Sequence, residues 1–210
     1  MFILFINYIN KVIKHSSIWL FMDDLKIANK IINIQDCINL QDDLYNIYSW
    51  CIRNDMKLNT TKCAIMKFWR SIFFKFYQYE INSVAIERVD TIRDLGIIFH
   101  SKLNFNLHIN KVVAKANKMW SFIWRNTKEF KNWKSIRVLY FSLVRSVLLY
   151  GSSICRPVCK NKIKMLEKVQ HRAIRHLSYL SDQPMHIFSH DYSTLGKKFM
   201  IPTYSFCVES

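Results

Sequence analysis

The spacing of the hydrophobic residues changes near residue 100, and this change constrains the fold more than any other feature. After that point, apolar side chains recur at steps of three and four over three segments, which predicts three amphipathic helices. Before it, the apolar runs are short or alternating, and only one segment has the helical period. We therefore expect an α+β chain in which short strands with one helix precede a helical region. The three helices are marked by Phe105, Ile109, Val112, Ala116, Met119, Trp120 and Ile123; by Ile136, Leu139, Tyr140, Leu143, Val144 and Val147; and by Ile163, Leu166, Val169, Ala173, Ile174 and Leu177.

Local signals place the remaining elements. Residues 17–28 contain two short extended runs around a tight acidic turn, and Asp36 is positioned to cap a helix that continues to Cys51. Gly151 is placed to end the second helix of the helical region. The other expected elements are a strand at residues 63–68, a hairpin that turns at Asn82-Ser83 between residues 72–81 and 84–86, and a short strand at residues 95–99. Residues 181–210 give no clear element.

The charge of the chain is uneven. Lysine and arginine total 31 and the acids total 15, which gives a net charge of +16. Residues 1–100 contain 12 basic and 10 acidic residues, whereas residues 101–210 contain 19 basic and 5 acidic residues. A one-sided positive field attracts polyanions, with nucleic acid first and anionic membranes second. The alternative is an AT-rich coding bias, which would supply lysines but would not explain the loss of acids from one half.

Composition excludes several classes of protein. With 3 glycines in the whole chain, neither a phosphate-binding loop nor a dinucleotide fingerprint can form. No apolar run is long enough to cross a membrane, and the apolar start of the chain lacks the basic leader of a secretory signal. The 6 cysteines are scattered, so we expect buried free thiols in a reducing compartment.

The sharpest chemical feature is the string Phe21-Met22-Asp23-Asp24. Two adjacent carboxylates at a β-turn can hold divalent cations, and Mg²⁺ prefers such oxygen ligands. A two-metal site uses these ions to activate a hydroxyl group and to stabilise a leaving group. The chain has a second pair, Asp42-Asp43, but it lies on the predicted helix without strands beside it. We interpret that second pair as part of a solvated helix face.

An ordered series of motifs between about residues 4 and 180 resembles the reverse transcriptases of jockey-like, insect-type non-LTR retrotransposons. Its members include Phe21-Met22-Asp23-Asp24, Leu95-Gly96 and Val169-Gln170-His171-Arg172. The specificity lies in the order of the series more than in any one motif. Its segments are residues 4–7, 21–27, 50–51, 58–68, 89–99, 101–105, 142–147, 149–151 and 169–172.

The resemblance implies a partial palm at residues 1–100, an α-helical thumb at 101–155, a basic helix at 156–180 and a tail of uncertain structure at 181–210. Asp23 and Asp24 would be the catalytic and metal-binding pair of the palm, with Mg²⁺ as the cofactor. Lys62 would help to protonate the leaving pyrophosphate; alternatively, it is an exposed lysine at a strand edge. Leu95-Gly96 would belong to the hairpin that grips the primer end.

The same resemblance implies the partners and their location. The family copies an RNA template from a DNA primer with deoxynucleotides, in the nucleus or cytoplasm and without a membrane, and a full-length copy of the element protein could be a further partner. The chain departs from the family pattern at two places. Met22 stands where alanine is usual, a change that resembles the retroviral form and is tolerable, and Asn7-Tyr8 stands where Asn-Asp is typical, which indicates drift. The family's third catalytic aspartate and its nucleotide-selecting motif have no match in this chain. We therefore expect a truncated, degenerate copy that is catalytically incompetent alone.

A rival motif has the approximate spacing of a zinc finger. Its four ligands would be Cys155, Cys159, His171 and His176. The strand hairpin that should precede the helix is missing, and Pro157 lies between the thiols. We therefore assign no zinc site and interpret these residues as incidental thiols and helix-surface imidazoles.

The third helix carries a basic stripe. Its members, Lys164, Lys168, Arg172 and Arg175, follow three- and four-residue steps on the face opposite the apolar stripe. Such a stripe suits phosphate contacts, which give affinity without reading sequence. Two alternatives to a polymerase therefore remain open: a non-catalytic nucleic-acid-binding remnant, and an interaction protein whose basic residues form an ordinary solvated face.

Overall fold

The described residues form two compact units. The computed structural model describes residues 6–68, 77–130, 132–155 and 160–182, and the chain divides into its two units between Asp90 and Thr91. This division lies about ten residues before the boundary that the hydrophobic spacing predicts at residue 100. The difference arises because the hairpin formed by residues 91–100 belongs with the helices that follow it and not with the strands before it.

The first unit is organised on helix α1, Ile34–Arg53. Its N-cap is Asn33, whose side chain accepts a hydrogen bond from the backbone N–H of Asp36, and the carboxylate of Asp36 accepts from the N–H of Asn33. Asp36 is therefore the third helical residue of a capping box and not the cap itself, a correction of the sequence prediction. The buried side of α1 is made by Cys37, Asp43, Ile47, Trp50 and Cys51.

Strands β1, Ser17–Phe21, and β2, Asp24–Ala28, form the antiparallel hairpin that the sequence predicts around its acidic turn. Their register pairs Ser17 with Ala28 and Phe21 with Asp24. One face of the hairpin packs against α1 in a core with Ile9, Ile47 and Trp50. That face consists of Ile18, Leu20, Leu25 and Ile27.

The remaining strands of the first unit are two residues long. The predicted turn at Asn82-Ser83 is confirmed, since both residues have positive φ values of 52° and 59° and connect β4 to β5. The part of this prediction on residues 72–76 lies outside the described residues. The predicted strand at 63–68 is reduced to a short parallel pairing of β3 with β6. These strands are β3, Ala64–Ile65; β4, Glu80–Ile81; β5, Val84–Ala85; and β6, Glu87–Arg88.

The second unit begins with a hairpin of strands β7, Thr91–Asp94, and β8, Ile97–His100. Leu95 and Gly96 form its two-residue turn, with φ values of 44° and 84°. The sequence prediction of one strand over residues 95–99 was therefore wrong for its first two residues, because it missed the partner strand in front of the turn. The tip is held by Tyr150, whose hydroxyl donates a hydrogen bond to the Leu95 carbonyl.

The three predicted helices of the second unit are confirmed, although the middle one is not regular. Its backbone passes through a π-helical turn at Tyr140–Arg145, which the apolar pattern does not reveal. It ends before Gly151, whose φ of 71° fits the role expected from the sequence. The helices are α2, Asn106–Asn126; α3, Trp133–Leu139, which leads through the π turn into α4, Ser146–Leu149; and α5, Lys160–Ser181.

One core joins these helices. Trp120 on α2 is 1% exposed and meets the ring of Tyr140 edge to face, with 5.8 Å between ring centres. Such a pair adds about 0.5–1.5 kcal/mol beyond the burial of its surface. From α5, Leu166, Val169 and Leu177 complete the core. Packing of this kind fixes which side of α2 and α5 is buried and which side faces solvent.

Candidate nucleic-acid interface and carboxylate pair

The carboxylates of Asp23 and Asp24 lie at the tip of the β1–β2 hairpin, and both residues are exposed. Because Phe21 pairs with Asp24, Met22 and Asp23 form a two-residue loop. Met22 has a φ of 55°, a conformation that costs a bulky residue about 1–3 kcal/mol. The cross-strand register holds the loop in this strained form and so fixes where the two carboxylates project.

Two adjacent carboxylates offer the hard oxygen ligands that Mg²⁺ prefers. Within the described ranges, no cluster of three or more His, Cys, Asp or Glu residues is arranged to hold a metal ion. A cation at Asp23 and Asp24 would therefore keep most of its water ligands. The pair can attract a hydrated divalent ion, but by itself it does not form a two-metal centre.

Lys62 ends a 3₁₀ turn, Thr60–Lys62, immediately before β3, and its side chain is exposed. Among the described residues, no hydrogen bond or ion pair joins its ammonium group to Asp23 or Asp24. The structure therefore does not bring the three predicted catalytic residues together by direct contact. The role of Lys62 in pyrophosphate departure stays a prediction.

Asp43 is the site residue that sequence reasoning missed. It is fully buried, whereas Asp42 beside it is exposed, so the interpretation of both as a solvated face was wrong for Asp43. Its carboxylate accepts hydrogen bonds from the backbone N–H of Lys14 at 2.9 Å and of His15 at 3.1 Å. The spacing along the helix indicates the burial of Asp43, because this residue lies three residues after Leu40 and four before Ile47 on the apolar stripe.

The hydrogen bonds to Asp43 keep its carboxylate ionised. Burial raises the pKa of this group, but the donors of Lys14, Ser16 and His15 outweigh burial and hold the pKa below its ordinary value. These donors belong to the segment that leads into β1. Asp43 thus ties the start of the acidic hairpin to α1 and helps to determine where Asp23 and Asp24 lie.

The basic stripe predicted on the third helix is exposed on α5. Lys164, Lys168, Arg172 and Arg175 all face solvent, on the side of the helix away from buried Leu166, Val169 and Ala173. The one acidic residue of α5 is Glu167. The stripe is therefore a positive surface about three helical turns long.

A second basic stripe lies on α2 and was not predicted. Lys111, Lys115, Lys118 and Arg125 recur at three-, four- and seven-residue steps and are all exposed. Phe122, which is 54% exposed, lies on the same face between Lys118 and Arg125. Helix α2 has no acidic residue. An aromatic side chain among cations on one helix face is a pattern found in nucleic-acid-binding surfaces.

Helices α2 and α5 are joined beside these stripes. The Lys162 ammonium donates to the Asn110 side chain at 2.6 Å, and the Arg172 guanidinium donates to the Asn117 side chain at 3.4 Å. Both contacts advance in the same direction along the two helices, so α2 and α5 run parallel where they meet, and the second contact joins the stripe member Arg172 to the residue that precedes Lys118. In the described part of the chain, none of the eight stripe cations is paired with a carboxylate. Their charge is therefore open to a ligand.

The described residues with zinc-finger spacing lie in different environments. Cys155 is buried, and burial raises the pKa of its thiol to about 11. His171 is exposed and its Nδ1 contacts the Glu167 carbonyl at 2.9 Å, while His176 is stacked against Trp124 with 4.1 Å between ring centres. Cys159 lies outside the described residues. Among the described thiols, Cys37, Cys51, Cys63 and Cys155 are free.

Comparison with known proteins gives one informative similarity. The chain is 25% identical over 142 residues to a protein of Drosophila melanogaster described as a probable RNA-directed DNA polymerase from transposon BS. The matched region covers 65% of this chain and 15% of the Drosophila protein. No protein-family model matches the chain, and no solved structure matches it.

This similarity supports a relationship to the reverse transcriptases of transposons. It agrees with the motif series in the sequence at the level of the enzyme class. The chain spans less than a sixth of the length of the Drosophila protein, so the activity of a whole polymerase is not transferred by similarity alone. Within the described ranges, no helix is both long and apolar enough to cross a membrane.

Proposed function

We propose that this chain is part of the RNA-directed DNA polymerase of a jockey-like non-LTR retrotransposon, with a palm segment in the first unit and a thumb-like helical segment in the second. The observation that carries the proposal is the acidic tip of the β1–β2 hairpin, in a chain similar to a transposon polymerase. On this proposal Asp23 and Asp24 are metal ligands, Mg²⁺ is the cofactor, and Lys62 donates a proton to the departing pyrophosphate.

The chain on its own is expected to be inactive. Polymerisation by two metal ions needs carboxylates placed to hold both ions, and the described residues bring no third carboxylate to Asp23 and Asp24. A segment that supplies the third carboxylate must therefore join the chain, either covalently or from a full-length copy of the element protein.

Primer extension tests this proposal directly. The isolated chain with Mg²⁺, an RNA template, a DNA primer and deoxynucleotides should give no product. A fusion that places before this chain the part of the Drosophila protein that precedes the matched region should extend the primer, and Asp23→Asn should abolish the product. Asp42→Asn removes a charge from an exposed site and serves as the control. Extension that survives Asp23→Asn in the fusion would refute the assignment of the metal ligands.

The exposed cations of the second unit support a proposal of nucleic-acid binding that does not involve the first unit. We infer that the two basic stripes, Lys111, Lys115, Lys118 and Arg125 on α2 and Lys164, Lys168, Arg172 and Arg175 on α5, contact the phosphates of a duplex or an RNA–DNA hybrid. Exposed cations without acidic partners neutralise phosphates, release counterions and give affinity with little sequence preference. This function does not require the carboxylate pair, so it also describes a non-catalytic remnant.

A salt titration of binding distinguishes the stripes from an ordinary solvated face. Each phosphate contact contributes about −0.9 to the slope of log K against log salt on B-form DNA. Replacing the four α5 cations by glutamine should reduce the slope by up to about 4 units. The matched control replaces four exposed cations that are not members of the stripes, with the same change in net charge, and should leave the slope nearly unchanged. The control residues are Arg93, Lys102, Lys128 and Lys134. Equal slopes for the two variants would show that the stripe is only a solvated face.

A further inference from the structure

His176 lies where helix α5 packs against helix α2, at the edge of the basic stripes. Its ring is stacked on Trp124 at 4.1 Å and on Trp120 at 5.7 Å between ring centres, with 22° between the ring planes in each case. The Nδ1 atom is buried, and no hydrogen-bond partner for it exists within the described part of the chain. A titratable, half-buried side chain is thus stacked on two indole rings.

The charges around His176 are those of the α5 stripe. Arg172 precedes it by four residues and Arg175 by one, and both are exposed stripe members. From α2 the ring meets the two indoles, which are uncharged. Helix α3, which also packs against α5, has only the cations Lys134 and Arg137 as charged residues. The charges nearest to the ring on its own helix are therefore cations that oppose its protonation, whereas the acids Glu167 and Asp182 lie nine residues before it and six residues after it.

We propose that nucleic-acid binding at the basic stripes is coupled to protonation of His176, so that affinity increases on acidification. This inference rests on the nucleic-acid binding proposed above and adds its regulation. It concerns the same surface, but it assigns a role to a residue that makes no phosphate contact itself.

The coupling follows from the ligand's charge. In the free protein, burial and then the charges of Arg172 and Arg175 lower the pKa of His176. A phosphate bound to those guanidinium groups compensates their charge and removes their repulsion. The bound state therefore has the higher pKa and takes up a proton.

The sign and the size of the effect follow from linkage. A ligand that binds the protonated form better has a dissociation constant that falls as the pH falls through the pKa values of His176 in the bound and the free protein. A difference of about one pKa unit between the bound and free states corresponds to about a tenfold change in affinity. The change should lie within the range of about pH 5 to 8, where histidine titrates.

The test uses the full chain and a short fluorescein-labelled DNA duplex at constant ionic strength. Fluorescence anisotropy should show affinity rising up to about tenfold from pH 8 to pH 5. His176→Phe keeps the aromatic stack but cannot titrate, so it should remove most of this rise. His15→Phe makes the same change at an exposed histidine of the first unit, outside the basic stripes, and should retain it.

A direct readout separates this coupling from other titrating histidines. The ring-proton NMR signal of His176 should titrate with a higher midpoint in the presence of the duplex than in its absence. Binding without a midpoint shift, or an undiminished pH dependence in His176→Phe, would overturn the coupling and leave the proposed binding intact. Absence of binding at every pH would overturn both.

Discussion

Replacement of the buried Asp43 by asparagine tests the hydrogen bonds that connect helix α1 to the segment before the acidic hairpin. The carboxylate accepts backbone hydrogen bonds of ordinary length from the N–H groups of Lys14 and His15. Asparagine preserves the volume but has one acceptor oxygen in place of two, and it carries no charge. One part-buried N–H group then loses its partner, and the other exchanges a charged acceptor for a neutral one.

The expected loss of stability is about 2–4 kcal/mol. A hydrogen bond to a charged group contributes about 1.5–3 kcal/mol, and a buried donor left without a partner costs about 1–3 kcal/mol. Asp42→Asn is the matched control, because it makes the same substitution and the same change in net charge at an exposed neighbour. That control should change stability by less than about 0.5 kcal/mol.

The assay is urea unfolding followed by circular dichroism, together with hydrogen exchange of the Lys14 and His15 amides. These two amides report on the hydrogen bonds themselves, even if the two units of the chain unfold separately. In Asp43→Asn their exchange should accelerate strongly, whereas in Asp42→Asn it should not. Equal effects of the two substitutions would refute the structural role of Asp43.

The pH dependence gives a second check with a definite sign. The pKa of Asp43 is lowered in the folded protein relative to its ordinary value of 3.8. Its stabilising contribution is therefore complete above that ordinary value and is lost as the pH falls through the lower, folded-state pKa. The stability difference between wild type and Asp43→Asn should be constant near neutrality and should shrink only below about pH 4. A difference that fades near pH 6 would point to a histidine instead.

Three further predictions concern the second unit and the carboxylate pair. Gly151→Ala should lower the stability of the second unit by at least about 1–2 kcal/mol in thermal unfolding. The reason is that the φ of Gly151 is positive and an added Cβ would lie 2.9 Å from the Ile97 side chain. An unchanged melting temperature would contradict the turn geometry. A fragment of residues 91–182 should melt cooperatively and at a higher temperature than 101–182, since the shorter fragment lacks β7 and β8; equal melting temperatures would show that the hairpin belongs elsewhere. The double variant Asp23→Asn, Asp24→Asn should leave the salt slope of DNA binding unchanged without divalent ions, and a steeper or flatter slope would place the hairpin at the nucleic-acid surface.

The sequence predicted the features that depend on local periodicity. The β1–β2 hairpin, the turn at Asn82-Ser83 and the helices of the second unit follow from alternation, turn residues and three- to four-residue steps. The stripe on α5 was also visible, because its cations lie opposite an apolar stripe that defines the buried side. These are properties of neighbours along the chain, and sequence spacing captures them directly.

The features that the sequence did not reveal depend on partners far along the chain. The burial of Asp43 results from a contact with residues almost thirty positions earlier, and the assignment of residues 91–100 to the helical unit results from packing on α2. The stripe on α2 was overlooked although its spacing is regular. Its significance appears only in the fold, where two hydrogen bonds bring the second cationic helix, α5, beside α2.

The two proposed activities place different demands on the structure. Metal-dependent polymerisation requires several carboxylates held in one geometry, and displacement of a group by about 1 Å can cost a hundredfold in rate. Phosphate binding requires only that cations remain exposed on a packed scaffold. The core of the second unit provides that scaffold without any contribution from Asp23 or Asp24. A chain that drifts in sequence therefore loses catalysis before it loses nucleic-acid binding, so the basic surface of α2 and α5 is the place where function in the isolated chain should be measured first.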